Sequence, residues 1–76
     1  MEESDLVALL INLPDKGLSV GDVGTIAHVY RTGQAYVVEF VNASGETVAV
    51  ETLEENQVVK VTGKQAILHV HLPVAA

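Results

Sequence analysis

The sequence contains no cysteine, no tryptophan, one phenylalanine and two tyrosines. Without cysteine, neither a disulfide framework nor a thiolate metal site can stabilise the chain. A chain of 76 residues forms one domain with a marginal core. Because 49% of its residues are hydrophobic and only 18% are charged, it carries more apolar surface than one small core can hide. We therefore expect self-association or a bound partner to cover the remainder.

Positive charge is also scarce, since four basic residues face ten acidic ones and the net charge is −6. Proteins bind phosphate backbones through lysine and arginine, so we expect no nucleic-acid partner. The negative charge fits a basic protein surface better. The acidic N-terminus lacks the positive region that opens a secretory signal, and no apolar run approaches the about 20 residues that span a bilayer. The sequence thus predicts a cytoplasmic protein with no membrane partner.

A glycine-rich turn that runs into a strand, over residues 20–30, is the feature around which the other strands are expected to wrap. Gly21 and Gly24 supply backbone freedom that residues with a Cβ atom lack. Asp22 can accept hydrogen bonds from nearby backbone amides, as short polar side chains do in turns.

Short strands separated by turns are predicted along the whole chain. The apolar run 6–11 indicates a first strand, within residues 5–13, that is buried on both faces, although a short helix is the alternative. Leu18 is expected to anchor the next loop. Further strands are predicted over residues 26–31, 35–41, 46–53, 58–61 and 65–72, with hairpin turns at 32–34 and 42–45 and one helical turn at 53–57.

The third and fourth strands show side-chain alternation. In residues 35–41, alternation places Tyr36, Val38 and Phe40 on the core face, opposite Glu39. In the fourth strand, Val48 and Val50 alternate with neighbours of mixed character, namely Thr47, Ala49 and Glu51.

The turn spacing is typical of a small sandwich or barrel. One strand, a long loop, three hairpin-connected strands, a helical turn and a short strand make the layout of an SH3-like barrel. We therefore predict an all-β, small SH3-like barrel of about five strands over residues 1–61, with an extra C-terminal strand in residues 62–76.

The runs GDVGTI (residues 21–26) and YVVEF (residues 36–40) resemble the opening of many SH3-like barrels, including KOW modules and the nitrile hydratase β-subunit. Together with the segments LP (13–14), GL (17–18) and GET (45–47), they resemble more closely a family of very short bacterial proteins, common in cyanobacteria, of unknown function. This resemblance covers residues 5 to about 60. It implies an antitoxin-like or adaptor role, and it supplies no catalytic residues. The KOW resemblance would imply RNA, which the acidic charge opposes.

The most specific candidate site in the sequence is a metal site formed by His69 and His71. Residues i and i+2 of a strand share a face, so both imidazoles could bind one metal ion, with His28 as a third ligand if strands two and six are neighbours. The alternative is a solvent-facing pair on an amphipathic strand, and the lack of a nearby acidic residue in the sequence favours it.

The acidic residues Glu51, Glu54 and Glu55 admit two interpretations. They form either a solvated turn or a docking patch for a basic partner. The acidic N-terminus could extend that patch if the first and last barrel strands pair. No carboxylate pair, serine or glycine loop has a spacing that indicates catalysis or phosphate binding, so we expect no enzyme and no cofactor.

The last predicted strand has an apolar face that a five-stranded barrel does not need for its core. An added edge strand exposes backbone donors and acceptors unless it is paired, and pairing across a two-fold axis would satisfy them. We predict a homodimer or larger assembly built through residues 65–74, with the interface residues Ala66, Leu68, Val70 and Leu72. The function predicted is a protein-interaction module, either an antitoxin or an accessory subunit; the alternative is a small-molecule or metal-binding protein.

Overall fold

Five antiparallel strands form one sheet in the computed structural model, which describes residues 1–62. In chain order, the strands and the two 3-10 turns are β1 Leu6–Leu9, a first 3-10 turn Pro14–Lys16, β2 Val23–Val29, β3 Ala35–Val41, β4 Thr47–Glu54, a second 3-10 turn Glu55–Gln57 and β5 Val58–Lys60. The all-β fold is as predicted. The predicted sixth strand lies outside the described residues.

The strand order is β4-β3-β2-β1-β5, so β1 lies between β2 and β5. Ala8 is opposite Val23 on one side and Val59 on the other. Leu53 of β4 and Val58 of β5 stand at opposite ends of this order, yet both belong to one core cluster. A flat sheet would hold them several strand spacings of about 4.8 Å apart. The sheet therefore curls around its core into a small barrel-like fold.

The core consists of apolar side chains from every strand and from one loop. Alternation in β3 is confirmed, because Tyr36, Val38 and Phe40 are each at most 3% exposed. The prediction that the first strand is buried on both faces is confirmed for Val7, Ala8 and Leu9, which are fully buried, but not for Leu10, which is 43% exposed. Leu18 is buried and anchors its loop, as expected. The core cluster is Val7, Leu9, Leu18, Ile26, Tyr36, Val38, Phe40, Leu53 and Val58.

Several predicted boundaries are corrected by the pairing. β1 ends at Leu9 because the chain then bends, and Leu13 instead bridges to Leu18. β2 begins at Val23, three residues earlier than predicted, because the end of the glycine turn already pairs with β1. It ends at Val29, where the hairpin toward β3 starts.

The glycine turn is built as predicted at two of its three residues. Gly21 has φ = 94° and its amide donates to the Leu9 carbonyl at 2.8 Å. The Asp22 carboxylate accepts from the Ser19 amide at 2.9 Å. Gly24 serves a different purpose, because a Cβ atom there would lie 2.5 Å from Val38 Cγ1 and 2.9 Å from the Glu39 carbonyl oxygen. It provides space for β3, not a positive φ.

Candidate functional site

The outer face of β3 and β4 carries the largest exposed hydrophobic group of the described sheet. Val41, Val48 and Val50 are 41%, 49% and 54% exposed. Val50 is opposite Glu39 in the pairing, and Val41 is opposite Thr47. Antiparallel sheets that face water on one side normally place polar residues there. A valine face formed by Val41, Val48 and Val50 is therefore a surface available to a partner.

Carboxylates lie within and around this valine face. Glu39 stands beside Val50 across the β3–β4 pair, and its carboxylate accepts a hydrogen bond from Thr47 Oγ1 at 2.6 Å. Glu46 immediately precedes β4 and Glu54 ends it, and both are exposed. The valine face is thus apolar at its centre, and an acidic residue lies at each end of β4.

The structure separates the three residues of the predicted acidic patch. Glu51 lies on the same side of β4 as buried Leu53 and pairs with Lys16 at 3.7 Å. Glu54 is on the opposite side of the strand because side chains alternate. Its carboxylate accepts from the Gln57 amide, and its own amide donates to Gln57 Oε1 at 2.8 Å. Glu54 and the exposed Glu55 therefore remain adjacent, while Glu51 does not join them.

Asp5 does not extend that acidic pair. It precedes β1, which pairs with β5 as expected, and its carboxylate is 3.6 Å from Lys60 Nζ. The backbone amide of Glu2 donates to this carboxylate at 2.9 Å. The Glu2 hydrogen bond, assisted by the Lys60 charge, lowers the pKa of Asp5 below its usual 3.8. Asp5 therefore links the start of β1 to β5 through its ion pair with Lys60.

His28 is exposed on β2, and its ring makes a T-shaped contact with the Tyr30 ring at a centroid distance of 5.3 Å. In the described sheet β2 lies between β1 and β3. Within residues 1–62, no three histidine or acidic side chains come close enough to hold a metal ion. His69 and His71 lie outside the described residues, so the metal site remains a sequence prediction.

A shallow groove of about 430 Å³ adjoins the acidic end of β4. It lies where the β2–β3 turn and the second 3-10 turn meet, and the Glu55 amide there donates to the Gln34 carbonyl at 3.0 Å. Its lining residues are Thr32, Gln34, Ala35, Glu54, Glu55 and Asn56. Tyr36 does not line it, because its ring is buried and its hydroxyl donates to the Gly33 carbonyl at 3.1 Å. The groove offers carboxylate and amide groups to a ligand.

Comparison with known proteins identifies the family. The model of a domain of unknown function, DUF4926, matches residues 3–60. The chain belongs to this family. No curated protein and no solved structure matches the DUF4926 chain.

No helix within residues 1–62 of this DUF4926 chain is long and apolar enough to cross a membrane. The surface that sequence reasoning missed is the valine face. The alternation of Val48 and Val50 with Ala49, Glu51 and Leu53 indicates that β4 has two different sides. Because Ala49 and Leu53 are apolar as well, the alternation does not reveal which side faces the core.

Proposed function

We propose that this chain is a non-enzymatic protein-interaction module, built on an SH3-like barrel, that self-associates through residues 65–74. In this proposal it works as an antitoxin-like protein or as an accessory subunit of a larger assembly. The observation that carries the proposal is the valine face, because a sheet whose outer side is apolar gains stability when that side is covered.

The composition supports the same function. Hydrophobic residues make up 49% of the chain, which is too short to bury them all in one core. Residues 65–72 add an alternating apolar pattern, with Ala66, Leu68, Val70 and Leu72 on one side. We propose these four as the self-association surface.

The acidic charge supports a second, heterologous contact. Glu54 and Glu55 are exposed at the end of β4, next to the shallow groove. A basic protein partner would be attracted by the net charge of −6 and could place a lysine or arginine side chain in this groove.

Self-association is tested by comparing Leu68→Asp with His69→Asp in the full chain. Both changes add one negative charge, but alternation places the two side chains on opposite sides. We expect the unchanged chain and His69→Asp to be dimers or larger assemblies by light scattering, and Leu68→Asp to be a monomer. If all three have the same mass, residues 65–74 are not the interface and this part of the proposal is wrong.

A further inference from the structure

The edge of β4 offers the backbone groups for a sixth strand. β4 stands at the end of the strand order, and β3 is its one hydrogen-bonded neighbour among the described strands. It has 8 residues, which is long for an edge strand. In an antiparallel strand, every second residue directs its amide and carbonyl away from the existing neighbour. A strand from elsewhere can pair with these groups.

β4 carries one feature that protects edge strands, a register shift beside Thr47 in its pairing with β3, but it lacks the commonest ones. Its sequence, TVAVETLE, contains neither lysine nor proline, the residues that most often block edges. Glu51 is the one charge on its inner side, and Lys16 already pairs with it at 3.7 Å. Next to the free edge, Val48 and Val50 are about half exposed. An added strand would therefore gain both hydrogen bonds and apolar contact.

The charges around this edge decide which occupant fits. An antiparallel pairing of β4 with β4 of a second copy would bring four carboxylates, Glu51 and Glu54 of each copy, onto one strand pair. Like charges directly opposite each other destabilise a strand pair. A fitting strand therefore has alternating apolar residues and no carboxylate.

Residues 65–72 of this chain contain alternating apolar residues and no carboxylate. All ten acidic residues lie in residues 1–62, whereas residues 63–76 contain Lys64 and no aspartate or glutamate. The segment 65–72 has as many residues as β4, and Pro73, which cannot donate a ladder hydrogen bond, follows it.

We propose that residues 65–72 of a second copy pair with the free edge of β4, so that Leu68 and Val70 contact Val48 and Val50. The proposal rests on the self-association proposed above and names the surface that accepts the C-terminal segment. Each copy donates one segment and accepts one, which closes the assembly as a two-fold dimer.

Cysteine crosslinking in the full chain tests this contact, because the chain has no cysteine of its own. Single variants Val48→Cys and Val50→Cys are each mixed with Leu68→Cys and Val70→Cys, in equal amounts and with tags of different mass, and then oxidised. Val59→Cys is the control acceptor, since Val59 is also exposed, at 39%, but lies on β5 at the other end of the strand order.

We expect at least one β4 variant to give mixed disulfide dimers at least about tenfold above the Val59→Cys control, since a disulfide needs Cα atoms within about 7 Å. No such excess, with the unchanged chain still dimeric by light scattering, overturns the β4 contact and leaves self-association standing. A monomeric unchanged chain overturns both proposals. If the double variant Val50→Cys/Val70→Cys links only within one chain, the occupant is the chain's own segment and the second-copy assignment is wrong.

Discussion

At the scale of single residues, Gly24 shows how a glycine can be essential without a positive φ. The sequence predicts that Gly21 and Gly24 have the same role in one turn. The structure separates them, because Gly21 has φ = 94° whereas a Cβ on Gly24 would overlap Val38, Phe40 and the Glu39 carbonyl. Sequence alone cannot distinguish these reasons, since the close approach of β2 and β3 exists only after the strands pair.

Gly24→Ala should therefore destabilise the protein more than an alanine at a glycine that needs only a left-handed backbone. Gly17 is the control, because it has φ = 70° and nothing lies within 4 Å of an added Cβ. We expect the free energy of unfolding to fall by about 3 kcal/mol for Gly24→Ala, as in an overpacked core, and by about 1 kcal/mol for Gly17→Ala. Urea unfolding measures both. Equal losses would contradict the close approach of β2 and β3.

At the scale of elements, the sequence predicts both the position and the core face of β3, but only the position of β4. β3 has Tyr36, Val38 and Phe40 on one side and a charged residue on the other, so its bounds and its core face are both confirmed. β4 has apolar residues on both sides, and only the pairing of Ala49 with Phe40 and of Leu53 with Tyr36 shows which side is inner. The valine face is hidden from sequence reasoning for the same reason.

The hairpin that joins β3 to β4 depends on one side chain. Asn42 Oδ1 accepts hydrogen bonds from the amides of Ser44 and Glu46, each at 3.0 Å. Asn42→Ala removes both, and we expect it to lower the free energy of unfolding by about 1 kcal/mol. Asn42→Asp keeps an acceptor oxygen and should lose less than half as much in the same urea experiment. An Asp variant as unstable as the Ala variant would show that these bonds do not stabilise the hairpin.

At the scale of the whole molecule, the strand succession and the core were predictable because turn residues and apolar runs alternate along the chain. The prediction that Leu18 is buried, for example, needed only one apolar residue in a polar loop. No local sequence pattern predicts the strand order or the free edge of β4. They follow from pairings outside the hairpins, such as Val7 with Gly24 and Val7 with Lys60, which join segments far apart in sequence.

These pairings also predict what happens when the chain is shortened. Every described strand ends before Thr62, and Val61 is buried with its amide donating to the Leu6 carbonyl at 2.9 Å. Deleting residues 62–76 should therefore leave a folded domain that is monomeric, because the proposed self-association segment is gone. Deleting residues 58–76 is the matched control. It removes β5 and the core residue Val58, so the remaining chain should not fold.

Circular dichroism and light scattering on both truncated proteins measure these outcomes. A shortened chain 1–61 that keeps the mass of the full-length assembly would place the interface within the barrel. A shortened chain that unfolds would show that residues 62–76 complete the core of the domain, because the five strands alone would then bury too little apolar surface to offset the entropy of folding.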